Sequence, residues 1–264
     1  MKVQLQAEIL DKKQLKEDIY WFKIQADEIV KQAKPGNFVD IRVIDQIEPL
    51  LRRPISIYHL NPEEGSLEFI IQVKGKGTEI LKNRKIGESL DVIGPLGYGT
   101  FHVDEHQDVA IIGGGIGMFP LYELATQYKQ NTNTKVHIYM GFRNKDLITL
   151  EKEFREVSDT LTITTDDGSY AIAGFAIQEL EKDCETIKFD KIFACGPLPM
   201  LRAVKELAKT KNIPCEISLE ERMGCGIGAC LGCAVKTAKS SDEAPEYWHV
   251  CKAGPVFNAE DVSI

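Results

Sequence analysis

No apolar run in this 264-residue chain is long enough to cross a bilayer, so a helix-anchored membrane protein is not expected. Basic runs and basic aromatic stripes are also missing. Acidic residues outnumber basic ones 40 to 32, for a net charge of −8. Nucleic acid and anionic membrane surfaces are therefore not expected partners. The opening MKVQLQAEIL lacks the apolar core of an export signal, which points to a cytoplasmic protein. There is no internal repeat and no low-complexity segment. The five histidines (59, 102, 106, 137 and 249) fall in no recognisable triad or metal motif. Seven cysteines is an odd number, and Cys184, Cys195 and Cys215 are scattered, which excludes a disulfide framework. A reducing compartment is the consequence.

The other four cysteines are concentrated near the carboxyl end. Met223-Gly-Cys-Gly-Ile-Gly-Ala-Cys-Leu-Gly-Cys233 places Cys225, Cys230 and Cys233 in a C-x4-C-x2-C spacing, and Cys251 follows. That is the plant-type spacing for a [2Fe-2S] cluster, which carries one electron at a time. Gly224, Gly226, Gly228 and Gly232 interleave the cysteines. Glycine tolerates the positive φ that such a loop needs and lets backbone N–H groups approach sulfur. Zinc also accepts four thiolates, but its sites typically pair short spacings, as in C-x2-C…C-x2-C. Plain structural thiols are the other alternative.

Two larger regions precede this segment. Residues 1–103 read as β-rich, with short strands Val3–Leu10, Ile19–Ile24, Phe38–Val43, Ile55–Leu60, Leu67–Val73 and Ser89–Ile93. Turn signals at Lys34-Pro-Gly36, Asn61-Pro-Glu-Glu-Gly65 and Gly94-Pro-Leu-Gly97 separate them, and a short helix is expected at Thr78–Asn83. Many short strands at this spacing suggest a closed β-barrel. Over 104–219 the pattern becomes strand–helix alternation, the mark of βαβ units in an open parallel sheet. Residues 220–264 are too few and too loop-like for a core of their own, so a bound cluster is expected to hold them together.

Three places suggest nucleotide binding. Gly113-Gly-Gly-Ile-Gly-Met-Phe-Pro120 directly follows the first strand of the α/β half. A glycine turn lets backbone approach a pyrophosphate, and the next helix presents its positive end. Counted from Gly115 the motif reads G-x-G-x-x-P, and Pro120 is acceptable in a first helical turn. A merely tight turn is the competing reading. Cys195-Gly196-Pro197 ends a later strand, where open α/β sheets bind ligands. A thiol there can touch a nicotinamide ring, although a small buried hydrophobe is the commoner fate of a free cysteine. Asp166 and Asp167 also follow a strand; they suit a ribose hydroxyl and repel a 2′-phosphate, or simply form an Asp-Gly turn. Arg143 argues the other way, since a guanidinium can hold a 2′-phosphate. In the barrel half, Arg53-Pro-Ile-Ser56 sets a guanidinium beside a strand start, and Gly75-Lys-Gly-Thr78 opens the short helix. Both suit phosphate.

Taken in order, these pieces resemble the ferredoxin-reductase-like flavoproteins along the whole chain. More closely, they are similar to the family of electron-transfer subunits of NAD-dependent (type B) dihydroorotate dehydrogenases. The flavin motif matches Arg53, Pro54, Ile55 and Ser56; the second segment Ile70, Ile71 and Gln72; the third Gly77 and Thr78. The pyridine-nucleotide motif matches Gly113, Gly115, Gly117, Pro120, Cys195 and Gly196, with Asp166 assigned to the ribose. Leu219-Glu-Glu-Arg-Met-Gly-Cys225 through Cys233, with Cys251, is the most diagnostic match. The chain ends in Val262-Ser-Ile264, without the aromatic that covers the flavin in plant-type reductases.

The resemblance implies a ferredoxin-reductase-like flavin barrel binding FAD, an α/β domain binding NAD, and a small C-terminal [2Fe-2S] domain. A hydride carries two electrons and the cluster accepts one, so a flavin between them is the expected relay, with no acid or base residue required. No region offers a site for oxidising an organic substrate. The resemblance therefore implies a partner: an FMN-containing dihydroorotate dehydrogenase catalytic subunit, two copies of each chain, serving pyrimidine (UMP) biosynthesis. The alternatives are a related NADH-linked reductase subunit for a hydrogenase, sulfite reductase or ferredoxin, and a non-enzymatic iron–sulfur redox sensor.

Overall fold

Alternating apolar residues rich in Ile, Val and Phe form the first six strands, and these close on themselves. In the computed structural model, which describes residues 2–44 and 48–264, they are β1 (Val3–Lys16), β2 (Ile19–Gln25), β3 (Phe38–Arg42), β4 (Arg53–Asn61), β5 (Ser66–Gln72) and β6 (Ser89–Leu96). The short helix α1 (Asp27–Val30) follows β2, and α2 (Lys76–Lys82) joins β5 to β6. The barrel order is β1-β2-β5-β4-β3-β6, with antiparallel neighbours throughout. Closure leaves no free sheet edge. Its interior is apolar: Phe22 of β2 stacks on Phe69 of β5 with ring centroids 5.1 Å apart, among Ile24, Val39, Ile41, Ile57, Ile71 and Val92.

The second half follows a period of strand then helix. Its elements are β7 (Asp108–Gly114), α3 (Phe119–Asn131), β8 (Lys135–Phe142), α4 (Glu151–Glu156), β9 (Thr160–Thr165), β10 (Ile172–Ala173), α5 (Ala176–Asp183), β11 (Lys191–Cys195), α6 (Leu198–Lys211) and β12 (Cys215–Ser218). The remaining residues add a two-stranded ribbon, β13 (Ala234–Lys236) with β14 (Tyr247–His249), and then β15 (Val256–Asn258). The large sheet runs β10-β9-β8-β7-β11-β12-β15, parallel except for β15. Strand order therefore reverses between β7 and β11, the position where open α/β sheets form their ligand crevice.

By compactness the chain divides into two units. One comprises residues 1–100, 220–234 and 248–255; the other comprises 101–219, 235–247 and 256–264. The six expected barrel strands and the main α/β alternation are all present. The carboxyl-terminal residues differ from expectation. A bound cluster is not their sole anchor: β15 pairs with β12, register Ile217 to Phe257, and Val256, Phe257, Ala259 and Val262 are buried. Three-residue strands are too short to show periodicity in sequence.

Two histidines serve this framework. His137 Nε2 lies 2.8 Å from Asp108 Oδ1, and Thr160 Oγ1 lies 2.9 Å from His137 Nδ1. The trio ties the amino-terminal portions of β7, β8 and β9, at the end of the sheet away from the ligand crevice. His102 meets Glu216, which also holds Lys191 at 2.7 Å.

Core packing sets the first test. Phe69→Ala is expected to cost about 3–5 kcal/mol, the usual penalty for emptying a buried ring site. Ile86→Ala, at an exposed position, is expected to stay within about 0.5 kcal/mol of the parent. Denaturant melts followed by flavin release would report both.

Candidate functional site

The cysteine loop belongs to the same compact unit as the barrel. Cys225 Sγ accepts N–H bonds from Ala229 at 3.2 Å and Cys230 at 3.3 Å. Burial acts to raise the Cys225 thiol, but the N–H groups of Ile227, Cys230 and Ala229 and the Cys230 side chain outweigh it and bring it to about 6. Cys233 and Cys251 are each only 1% exposed, and their sulfurs lie 3.2 Å apart. Val250 N–H donates to Cys233 O at 2.9 Å, and Cys251 N–H reaches Cys233 Sγ at 3.4 Å. Burial, together with the neighbouring Cys233, pushes the Cys251 thiol upward.

The four sulfurs thus stand as two pairs, Cys225 with Cys230 and Cys233 with Cys251. Two cysteine pairs with backbone N–H groups aimed at sulfur are the donor set of a two-iron cluster. The residues therefore fit a [2Fe-2S] group. Gly226 (φ +65°) and Gly228 (φ +88°) take the expected left-handed turns. Gly224 and Gly232 do not; the remaining left-handed position in the loop is Leu231 (φ 61°), a leucine that is 61% exposed.

One further residue of the barrel belongs to this site, and sequence did not reveal it. Val39 and Ile41 of β3 point into the barrel core, so Asp40 between them faces outward. It is nonetheless only 2% exposed, because the cysteine loop covers it. A Cβ on Gly226 would come within 2.6 Å of Asp40 Oδ2, while Asp40 Oδ1 is buried without a hydrogen-bond partner. Burial pushes this carboxyl up to about 7; the guanidiniums of Arg52 and Arg53 pull against that shift, and Cys225 adds to it. In sequence an acid alternating with apolar residues looks like an ordinary solvent-facing position.

The expected flavin residues gather at β4, β5 and α2. Arg53, Pro54, Ile55 and Ser56 open β4, Ile70, Ile71 and Gln72 end β5, and Gly77 and Thr78 lie in the first turn of α2. The Arg53 side chain crosses Gly77 so closely that a Cβ there would sit 2.1 Å from Arg53 Nε. A side chain at position 77 would therefore displace the Arg53 guanidinium. The Thr78 hydroxyl accepts the Lys74 N–H at 3.0 Å and donates to Gly75 O, holding the entry to α2. The Ile71 side chain points into the barrel core. A guanidinium held over a glycine at a helix start fits a diphosphate group.

Of the expected dinucleotide residues, Gly113, Gly115, Gly117, Pro120, Cys195 and Gly196 lie at the strand-order reversal, and Asp166 does not. Gly113 ends the β7 pairing opposite Cys195 of β11. A single 3-10 turn, Gly115–Met118, connects β7 to α3, and Pro120 falls in the first turn of α3. A Cβ on Gly117 would meet Cys195 O and Gly196 Cα at 2.6 Å, so the two loops touch through bare backbone. The Cys195 side chain packs in the apolar core of this unit. Asp166 and Asp167 form a turn at the end of β9, two strands from β7. The Ser169 hydroxyl and N–H hold the Asp167 carboxylate below its usual range. The Asp166 carboxylate is exposed.

Residues 220–263 match the iron-sulfur cluster binding domain of dihydroorotate dehydrogenase B, residues 111–206 an oxidoreductase NAD-binding domain and residues 6–101 an oxidoreductase FAD-binding domain. The FAD, NAD and iron–sulfur functions are thereby carried by successive stretches of one chain. A solved structure of an NADH-dependent reduced ferredoxin-NADP oxidoreductase aligns with a TM-score of 0.85 and 32% identity, over 98% of this chain and 90% of that one. The dihydroorotate dehydrogenase B (NAD(+)) electron transfer subunits of Bacillus mycoides (strain KBAB4) and Bacillus cereus (strain Q1) are each 40% identical to it over 257 residues, 96% of either chain. At that identity over nearly the full length, the chain belongs to the family of dihydroorotate dehydrogenase B (NAD(+)) electron transfer subunits.

Proposed function

We propose that the chain exchanges electrons between NAD(H) and an FMN-containing catalytic subunit that interconverts dihydroorotate and orotate, in a cytoplasmic complex with two copies of each chain. The observation that carries this reading is the gathering of four cysteine sulfurs, three on a loop that packs against β3 of the flavin barrel and the fourth, Cys251, from a second stretch. When bound, FAD supplies the conversion between two-electron hydride chemistry and single-electron exchange with a [2Fe-2S] cluster.

The residues divide the work. In this reading residues 1–103 bind FAD, 104–219 bind NAD and 220–264 carry the cluster. Arg53 and the start of α2 would hold the FAD diphosphate, and the Gly113–Gly117 loop with Gly196 would hold NAD by backbone. Cys225, Cys230, Cys233 and Cys251 would ligate the cluster, their thiolate character favoured at Cys225 by the backbone N–H groups. Net flow runs from dihydroorotate to NAD. Exposed Ile227 and Leu231 on the cysteine loop support docking of the catalytic subunit at the cluster face. A non-glycine residue held at positive φ costs on the order of 1 kcal/mol, which favours a functional reason for Leu231.

The similarity to a reduced ferredoxin-NADP oxidoreductase favours a second reading, a reductase subunit that exchanges electrons with ferredoxin. Mixing the purified chain with the dihydroorotate-oxidising subunit decides between them. Dihydroorotate-dependent NADH formation supports the first reading; its absence, with ferredoxin-linked turnover retained, supports the second.

Cysteine replacement, a glycine replacement and a cofactor comparison test the residue roles. Cys225→Ser, Cys230→Ser, Cys233→Ser and Cys251→Ser should each abolish bound iron and sulfide while leaving FAD in place, whereas Cys184→Ser should change neither; metal and flavin analysis reads this out. Truncation after Leu219 is less informative because it also removes β15 from the sheet. Gly77→Ala should displace Arg53 and weaken FAD binding at least about tenfold, roughly 1.4 kcal/mol, measured by flavin titration of the apoprotein. Steady-state kinetics should show a preference for NADH, and a preference for NADPH would remove Asp166 from its assigned role.

A further inference from the structure

Asp40 is an unusual residue to find at this place. Asp40 sits between the apolar Val39 and Ile41 of β3, and a buried carboxylate is stable only when paired or hydrogen-bonded. Here the nearby cations are committed elsewhere. Arg52 bonds the Asp91 carboxylate through Nη2 at 2.7 Å and the Asp91 carbonyl through Nη1 at 2.9 Å; its contact with Asp40 is to the backbone oxygen, at 3.3 Å. Arg53 lies across Gly77 and donates to the carbonyls of Leu51 and Arg52. The Asp40 carboxyl is left against Gly226, the neighbour of Cys225, with Oδ1 unpartnered. Backbone pairing sets Asp40 opposite Pro54 of β4, inside the Arg53–Ser56 segment assigned to FAD. The acid therefore lies between the cysteine loop and the flavin strand.

We infer that Asp40 sets the reduction potential of the cluster that Cys225 would ligate, through a carboxyl seated against Gly226, the next residue. The inference rests on the cluster assignment above. A carboxylate close to that centre, in a setting that excludes water, opposes addition of an electron by direct Coulomb repulsion. The reduced cluster is then a stronger donor than the cysteine loop alone would make it.

The test uses the FAD- and cluster-loaded protein and two variants, Asp40→Asn and Asp40→Ala. Iron, sulfide and FAD are first counted in all three. Redox titration in alkaline buffer, with the reduced cluster followed by electron paramagnetic resonance and FAD by absorbance, then gives both potentials. Removing the acid should move the electron equilibrium between FAD and cluster toward the cluster by about tenfold, 59 mV for a one-electron couple. The FAD potential should move less. A shift of this sign in either variant that keeps its cluster supports the inference. An unchanged cluster potential in loaded variants overturns it. So does loss of the cluster from both variants with FAD retained, which would mean a purely structural role. Absence of iron and sulfide from the unsubstituted protein would instead refute the cluster assignment, and metal analysis separates that failure from the others.

Discussion

Bringing sulfurs from two stretches of chain together on one face of the barrel is the constraint on which the carboxyl-terminal region depends. Cys225, Cys230 and Cys233 come from one loop, and Cys251 arrives eighteen residues after Cys233, yet the last two sulfurs meet at 3.2 Å. Backbone contacts to the barrel's own tail fix the second stretch: Tyr98 N–H donates to Lys252 O at 3.1 Å and Gly99 N–H to Gly254 O at 3.0 Å. The first stretch rests on β3 through Gly226, where both the positive φ and the closeness of Asp40 exclude a side chain. Seating the loop this tightly has an electrostatic consequence, since it buries a carboxyl that water would otherwise solvate.

The flavin end of the barrel follows the same logic of close approach. Arg53 lies across Gly77 where a side chain would displace it, and the Thr78 hydroxyl fixes the turn that presents Gly77. In the α/β unit the loops after β7 and β11 meet at Gly117 through bare backbone, where the strand order reverses. Each candidate site thus depends on a glycine that permits contact.

Much of this was legible in the sequence because spacing and punctuation carry direct physical meaning. The C-x4-C-x2-C run, the glycine-rich turn after an apolar strand and the Arg-Pro start of β4 each combine a residue type with a location that a ligand requires. Strand and helix periods located the barrel and the parallel sheet. What could not be read depends on contacts distant in sequence. Asp40 looks like a solvent-facing acid until Gly226, 186 positions later, covers it. Strand β15 is three residues long and gains its meaning only by pairing with β12. The left-handed turn fell on Leu231 rather than Gly232, since glycine marks where positive φ is inexpensive, not where it occurs.

The central claim is that the paired cysteines hold a two-iron centre able to draw single electrons from a flavin bound in the same unit. Anaerobic reduction of the purified protein with NADH, followed by spin counting at low temperature, tests it directly. The account predicts one reduced [2Fe-2S] cluster for each bound FAD. Bleaching of the flavin with no cluster signal, in protein that contains zinc in place of iron and sulfide, would contradict it.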